Sequence, residues 1–193
     1  LRLRLTYRDE KHFSLTPSSP WTLKENERPW RPLPLVGEGD ARLIDLDFEV
    51  DERNNRDDPS DGWYMRGRLS YGLTGDLVLP SFSDHEDLGI SSDTESLPNS
   101  FSAGFLDLRR YARVDPTSAL SLRAVFAGSL NDRPLPPQFQ HLLGGEGSLP
   151  GFGPLSLDCG ARDRQVFVRR SDGSPAPTFA RYGCERIALF QTE

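Results

Sequence analysis

Residues 43–51 constrain the fold more tightly than any other stretch of the chain. Ile44, Leu46, Phe48 and Val50 alternate there with Asp45, Asp47, Glu49 and Asp51. A period of two sorts side chains onto the two faces of a strand, whereas a helix would scatter both sets around its circumference. Four carboxylates in a row on one face repel one another unless neighbouring strands bring cations opposite them. Residues 63–73 supply such a neighbour, with Trp63, Met65, Leu69, Tyr71 and Leu73 on one face and Arg66 and Arg68 on the other. Residues 1–7 repeat the pattern, setting Leu1, Leu3, Leu5 and Tyr7 against Arg2, Arg4 and Thr6. The expected product is an ion lattice in which Asp45, Asp47, Glu49 and Asp51 meet Arg66 and Arg68. With cations that close, a structural lattice is favoured over a general acid/base pair.

Period-two alternation continues through the chain, and helical periodicity is almost absent. Residues 101–114 form a strand whose apolar phase slips near Phe105 and Leu106, which predicts a bulge there. In 119–128, Leu120, Leu122, Ala124 and Phe126 share a face opposite Ser121 and Arg123, and 186–193 reads as a last strand. Between the second and third strands, residues 51–62 carry the Asn, Asp, Pro and Gly of a turn. A calcium loop ending at Gly62 would need an oxygen ligand where Pro59 stands, so a plain turn is expected. The count predicts an all-β antiparallel meander of about six strands, treated as a single region over residues 1–193 with a long loop at 131–185.

Each strand thus has an apolar face and a charged face, and two architectures satisfy that. In a soluble β-sandwich the apolar face packs on a second sheet. In a transmembrane β-barrel it meets lipid while the charges line the lumen. Strands of 11 to 14 residues exceed the usual globular length and match what a tilted membrane strand needs. Short connections at 54–62 and 115–118 alternate with long ones at 16–41, 75–100 and 129–185, as in outer-membrane barrels. The low apolar content, 36%, suits a sheet that shows only half its residues to lipid. A net charge of −6 without a Lys/Arg block excludes a nucleic-acid binder. The membrane reading therefore leads. The alternative is a soluble carbohydrate- or surface-binding module using Trp21, Trp30 and Tyr182 as stacking platforms. The sequence begins and ends inside strand patterns, and six strands are fewer than the smallest single-chain barrel. The expectation is a partial barrel, not closed by these residues, whose remaining strands belong to the same chain.

One segment is more specific. Pro136-Pro-Gln-Phe-Gln-His-Leu-Leu-Gly-Gly-Glu-Gly-Ser-Leu-Pro-Gly-Phe152 resembles part of the BamA/TamA-like outer-membrane assembly-factor superfamily, the bacterial surface antigens. There a strand leads to a Gly-Gly pair, a spacer and a Leu/Val-Arg-Gly-Phe/Tyr motif in a loop that folds back into the barrel. Asp51-Glu-Arg-Asn-Asn with Pro59 and Gly62-Trp63-Tyr64 is similar to the family's strand–turn–strand signature, and Leu106-Asp-Leu-Arg-Arg-Tyr to the strand before the Gly-Gly element. The resemblance covers roughly residues 41–193. It implies a protein of the bacterial outer membrane that inserts or translocates other proteins, with lipid and client outer-membrane or secreted proteins as partners and no cofactor. It assigns Gly144, Gly145, Leu149, Pro150, Gly151 and Phe152 to a loop tip. Pro150 stands where the family has an Arg that tucks the tip against luminal acids, and it has no donor for that role.

Other chemistry is thin. Gly144, Gly145 and Gly147 lack the Lys and following helix of a phosphate-binding loop, and Ser148 is not set in a Gly-x-Ser-x-Gly elbow. His12, His85 and His141 have no metal-ligand spacing. No nucleophile–base pair is evident, so neither an enzyme nor a metal site is expected. Cys159 and Cys184 both lie in the long loop, where a disulfide suits an oxidising cell-surface setting; the alternative is two free thiols.

Overall fold

The computed structural model describes residues 1–13, 24–25, 28–29, 33–34, 36–78, 97, 100–145, 148–149, 151–153, 157, 159, 166–169, 175–180 and 183–193. In chain order its strands are β1 (Arg2–His12), β2 (Lys24–Glu25), β3 (Arg28–Pro29), β4 (Leu33–Pro34), β5 (Gly39–Asp51), β6 (Gly62–Gly75), β7 (Ser102–Asp115), β8 (Ser118–Ser129), β9 (Val166–Arg169), β10 (Pro175–Ala180) and β11 (Arg186–Thr192). β1, β5, β6, β7, β8 and β11 form one six-stranded sheet in that order, open at β1 and β11. Every neighbouring pair in it is antiparallel. The fold is the expected all-β meander. β4, β10 and β9 make a small separate sheet, and β2 pairs with β3. Among the described residues no helix is long and apolar enough to cross a membrane, which leaves crossing by strands untouched.

The short connections have local causes. Asn54 Oδ1 accepts from the backbone N–H groups of Asn55, Ser60 and Asp61 at 3.0, 3.0 and 3.1 Å, and so builds the β5–β6 turn around one side chain. Gly62 closes that turn at φ 116°, where a Cβ would meet the Glu52 carbonyl. Asp115 holds the β7–β8 turn by accepting from the Thr117 N–H at 2.7 Å.

The register sorts the sheet into two faces. Leu5, Leu46, Leu69 and Gly104 lie in one row, and Leu3, Phe48, Gly67, Leu106 and Phe126 in the next row of the same face. This face is bare: Leu5 is 74% exposed, Leu46 38% and Phe190 71%. Phe48 lays its ring over Gly67, where any Cβ would collide with it. Arg4, Asp47, Arg68 and Phe105 lie in a row on the opposite face. That face is partly covered by the long connections. Leu43, Ala41 and Ala103 pack there with Leu77, Leu97, Phe101, Leu135 and Phe139. This small apolar core sits where the long connections leave the sheet, with Phe101 stacked on Phe139 at 5.0 Å between centroids.

Two expectations change. The bulge predicted near Phe105 and Leu106 is absent; β7 pairs without interruption through both, and its irregularity falls between Arg113 and Asp115. The apparent slip arises because Ala103 and Phe105 are apolar residues on the covered face, where Ala103 joins the apolar core and Phe105 stacks on the loop residue His141. The first strand also extends beyond Tyr7 to His12, with Arg8, Glu10 and His12 keeping to the covered face.

Candidate functional site

The covered face changes character away from its apolar core and becomes a network of guanidinium and carboxylate groups. Asp45 is 2% exposed and takes its cation from β1: Arg8 Nε lies 2.7 Å from Oδ2. Asp47 accepts from Arg68 Nε at 2.7 Å across the β5–β6 ladder. Asp51 is held within its own turn, by Arg53 Nε at 2.8 Å and Arg56 Nε at 3.2 Å. Glu49 stands opposite Arg66 and Arg2 in register. Among the described residues neither Glu49 nor Arg66 forms an ion pair. The lattice residues thus share one face, while their individual partners differ from a simple β5-to-β6 pairing.

The centre of the network lies one strand further on. Asp107 of β7 is 4% exposed. It accepts from Arg109 Nε and Nη2 at 3.1 and 2.8 Å, and from Arg123 Nε and Nη2 at 3.0 and 2.9 Å. Both carboxylate oxygens are therefore gripped twice, in the two-pronged geometry that suits arginine. The Tyr64 ring lies between the guanidiniums of Arg53 and Arg109, at 4.8 and 5.3 Å. Arg123 Nη1 passes the connection on by donating to Gln191 Oε1 at 3.0 Å. Gln191 Nε2 in turn donates to the Ser148 carbonyl at 2.8 Å. Polar contacts thus run from the β5–β6 turn, across β6, β7, β8 and β11, to the tip of the long loop. Sequence reasoning missed Asp107 and Arg109. The available signal was an Asp set between Leu106 and Leu108, an acid with apolar neighbours on both sides.

The loop tip is a compact turn. Gly145 bridges Leu149, Ser148 N donates to the Gly145 carbonyl at 3.2 Å, and Gly145 N donates to the Phe152 carbonyl at 2.6 Å. Gly144, Gly145 and Gly151 have φ of 110°, 86° and 87°, in the left-handed region that favours glycine. Gly144 N donates to Ser148 Oγ at 2.8 Å. Pro150, like Trp21, Trp30, His85 and Tyr182, lies outside the described residues. The loop returns to the sheet at His141, whose ring stacks on Phe105 with centroids 5.9 Å apart and whose backbone bridges Cys184. Burial pushes the His141 pKa below its usual 6.5. Cys184 is disulfide-bonded to Cys159 across 25 residues, with Cα atoms 5.0 Å apart. Among the described residues no group of three His, Cys, Asp or Glu side chains is placed to hold a metal ion.

No family model, curated protein or solved structure matches this chain.

Proposed function

We propose that this chain is part of an outer-membrane β-barrel, with its bare face against lipid and its charged face toward the lumen. The observation that carries this reading is the inverted polarity of the sheet: leucines and aromatics are exposed on one face, while Asp45 and Asp107 are buried on the other. In water that arrangement is unfavourable, since exposed apolar area costs roughly 25 cal/mol per Å². In a bilayer it is the favourable one. The margins of the bare face agree. Tyr7, Ile44 and Tyr71 lie in one row, with Arg42 and Asp9 beyond them in an ion pair at 3.5 Å. Trp63 marks the short-turn margin, paired with Arg110. From Ile44 to Val50 the bare face of β5 carries no charge over about 20 Å, at roughly 3.3 Å per residue. Such a band flanked by aromatic residues is the signature of an outer-membrane barrel wall. The soluble sandwich finds less support, because Leu5, Leu69 and Phe190 remain exposed where a second sheet would have to pack.

Within that class, the order of the loop and strand motifs favours a factor that inserts or translocates client outer-membrane or secreted proteins. The chain carries no catalytic group in this reading and acts by its wall and edges.

The experiment is depth-dependent quenching. A variant keeping only Trp63 (Trp21→Phe, Trp30→Phe) is reconstituted into vesicles containing brominated phospholipids. Strong quenching by bromines near the headgroup is expected. A chain that remains monomeric in detergent-free buffer, with Trp63 unquenched, would overturn the membrane reading. The assembly role is tested separately, by the folding rate of an unfolded outer-membrane barrel added to vesicles that contain this chain. A rate equal to that in empty vesicles excludes it.

A further inference from the structure

Arg2 and Arg4 of β1, Asp47 and Glu49 of β5, and Arg66 and Arg68 of β6 surround a cleft of about 350 Å³ on the charged face. The register explains the grouping: Arg4, Asp47 and Arg68 form one row, and Arg2, Glu49 and Arg66 another on the same face. Each row therefore sets one acid between two guanidiniums. Only Arg68 and Asp47 form an ion pair there, at 2.7 Å. Among the described residues Arg2, Arg4 and Arg66 form none. In a chain of net charge −6, this one cleft holds an excess of two positive charges. A recess with a surplus of one sign of charge concentrates potential and attracts the opposite ion. Elsewhere on the face arginines have carboxylate partners: Arg8 has Asp45, and Arg109 and Arg123 share Asp107.

We propose that this cleft is a binding site for a dianionic phosphoryl group, held by Arg2, Arg4 and Arg66. Guanidinium recognises phosphoryl oxygens by paired N–H donors, and three such groups lining one cleft with a surplus of two charges match a dianion in charge and in donor type. Glu49 is the internal competitor, because its carboxylate sits in register between two of the cations. The site does not depend on the membrane reading, since the same residues share the cleft in any solvent.

The same chemistry could reach the cleft as a soluble phosphate or as a lipid phosphomonoester. The test is therefore run on the full chain in zwitterionic detergent with two probes, inorganic pyrophosphate and phosphatidic acid in mixed micelles. Binding is followed by calorimetry, against sodium chloride at matched ionic strength. Arg66→Gln is expected to weaken binding at least tenfold. Glu49→Gln is expected to strengthen it several-fold, an effect that non-specific screening would not produce. Arg42→Gln, an arginine on the other face, should leave affinity unchanged. A response to pyrophosphate alone assigns the site to a soluble anion, and a response to phosphatidic acid alone assigns it to a lipid headgroup; both support the site. An equal response to chloride would overturn it, as would no response to either probe in a chain whose strand content by circular dichroism is intact. Equal loss in Arg66→Gln and Arg42→Gln would also overturn it.

Discussion

Arg123 reaches diagonally across the β7–β8 ladder to grip both carboxylate oxygens of Asp107, at 3.0 and 2.9 Å, from the side opposite Arg109. One buried acid thus bridges two cations that would otherwise face each other with nothing between them, because Arg109 and Arg123 are themselves cross-strand partners. Replacing Asp107 with Asn keeps the shape and removes the charge. The expected loss is about 2–3 kcal/mol, below the usual figure for breaking a buried pair because Arg109 is partly exposed. Guanidinium-induced unfolding in detergent measures it. A change below about 0.5 kcal/mol would show that the pair of arginines does not rely on this acid.

The bare face makes its own prediction. Leu46 stands mid-band, between Leu5 and Leu69. Leu46→Lys should cost about 2–4 kcal/mol when the chain is folded in a bilayer, the penalty for a lysine at the membrane midplane. On a face turned to water the same change would be nearly neutral or would improve solubility. Folding equilibria in lipid vesicles, compared between the two variants, distinguish these outcomes.

The Cys159–Cys184 bond ties the loop back to the position where it meets His141. Its main effect is expected on the unfolded chain, whose loop of about 25 residues it closes. Cys159→Ser should lower stability by about 3 kcal/mol, and the wild type with reductant should fall to the same value. The denaturation midpoint with and without reductant checks this.

His141 gives the loop a pH dependence. Burial against Phe105 lowers its pKa from 6.5, so the unfolded or undocked ring takes up a proton before the docked one does. Docking is therefore strongest above about pH 6.5 and weakens as pH falls from there toward the lowered value, below which the penalty is constant. Amide exchange at His141 and Cys184, corrected for the intrinsic pH effect, should accelerate over that interval. In His141→Phe the acceleration should vanish.

Much of this fold was legible because β5 and β6 carry opposite chemistry on their two faces along most of their length. Ile44, Leu46 and Phe48 could only lie on one side and Asp45 and Asp47 on the other. Legibility failed where a face changes character along a strand. Ala103 and Phe105 belong to the same side as Asp107, but Ala103 joins the apolar core and Phe105 stacks on His141, so alternation alone read them as a slip. The charged run from Arg8 to His12 hid an intact strand for the converse reason: it lies near the margin of the bare face, where Asp9 and Lys11 replace leucines. Pairing was harder to read than placement. The sequence puts Asp45 on the right face, but its partnership with Arg8 depends on how far β1 extends.

The sheet is open at β1 and β11, and its six strands alternate in direction, so these two edges run antiparallel to each other. Parity follows from that. The edges could zip together, or accept any whole number of hairpins between them, without ever placing two strands side by side in the same sense. A lone additional strand would break the alternation. In an all-antiparallel closure, strands could therefore be added only in twos.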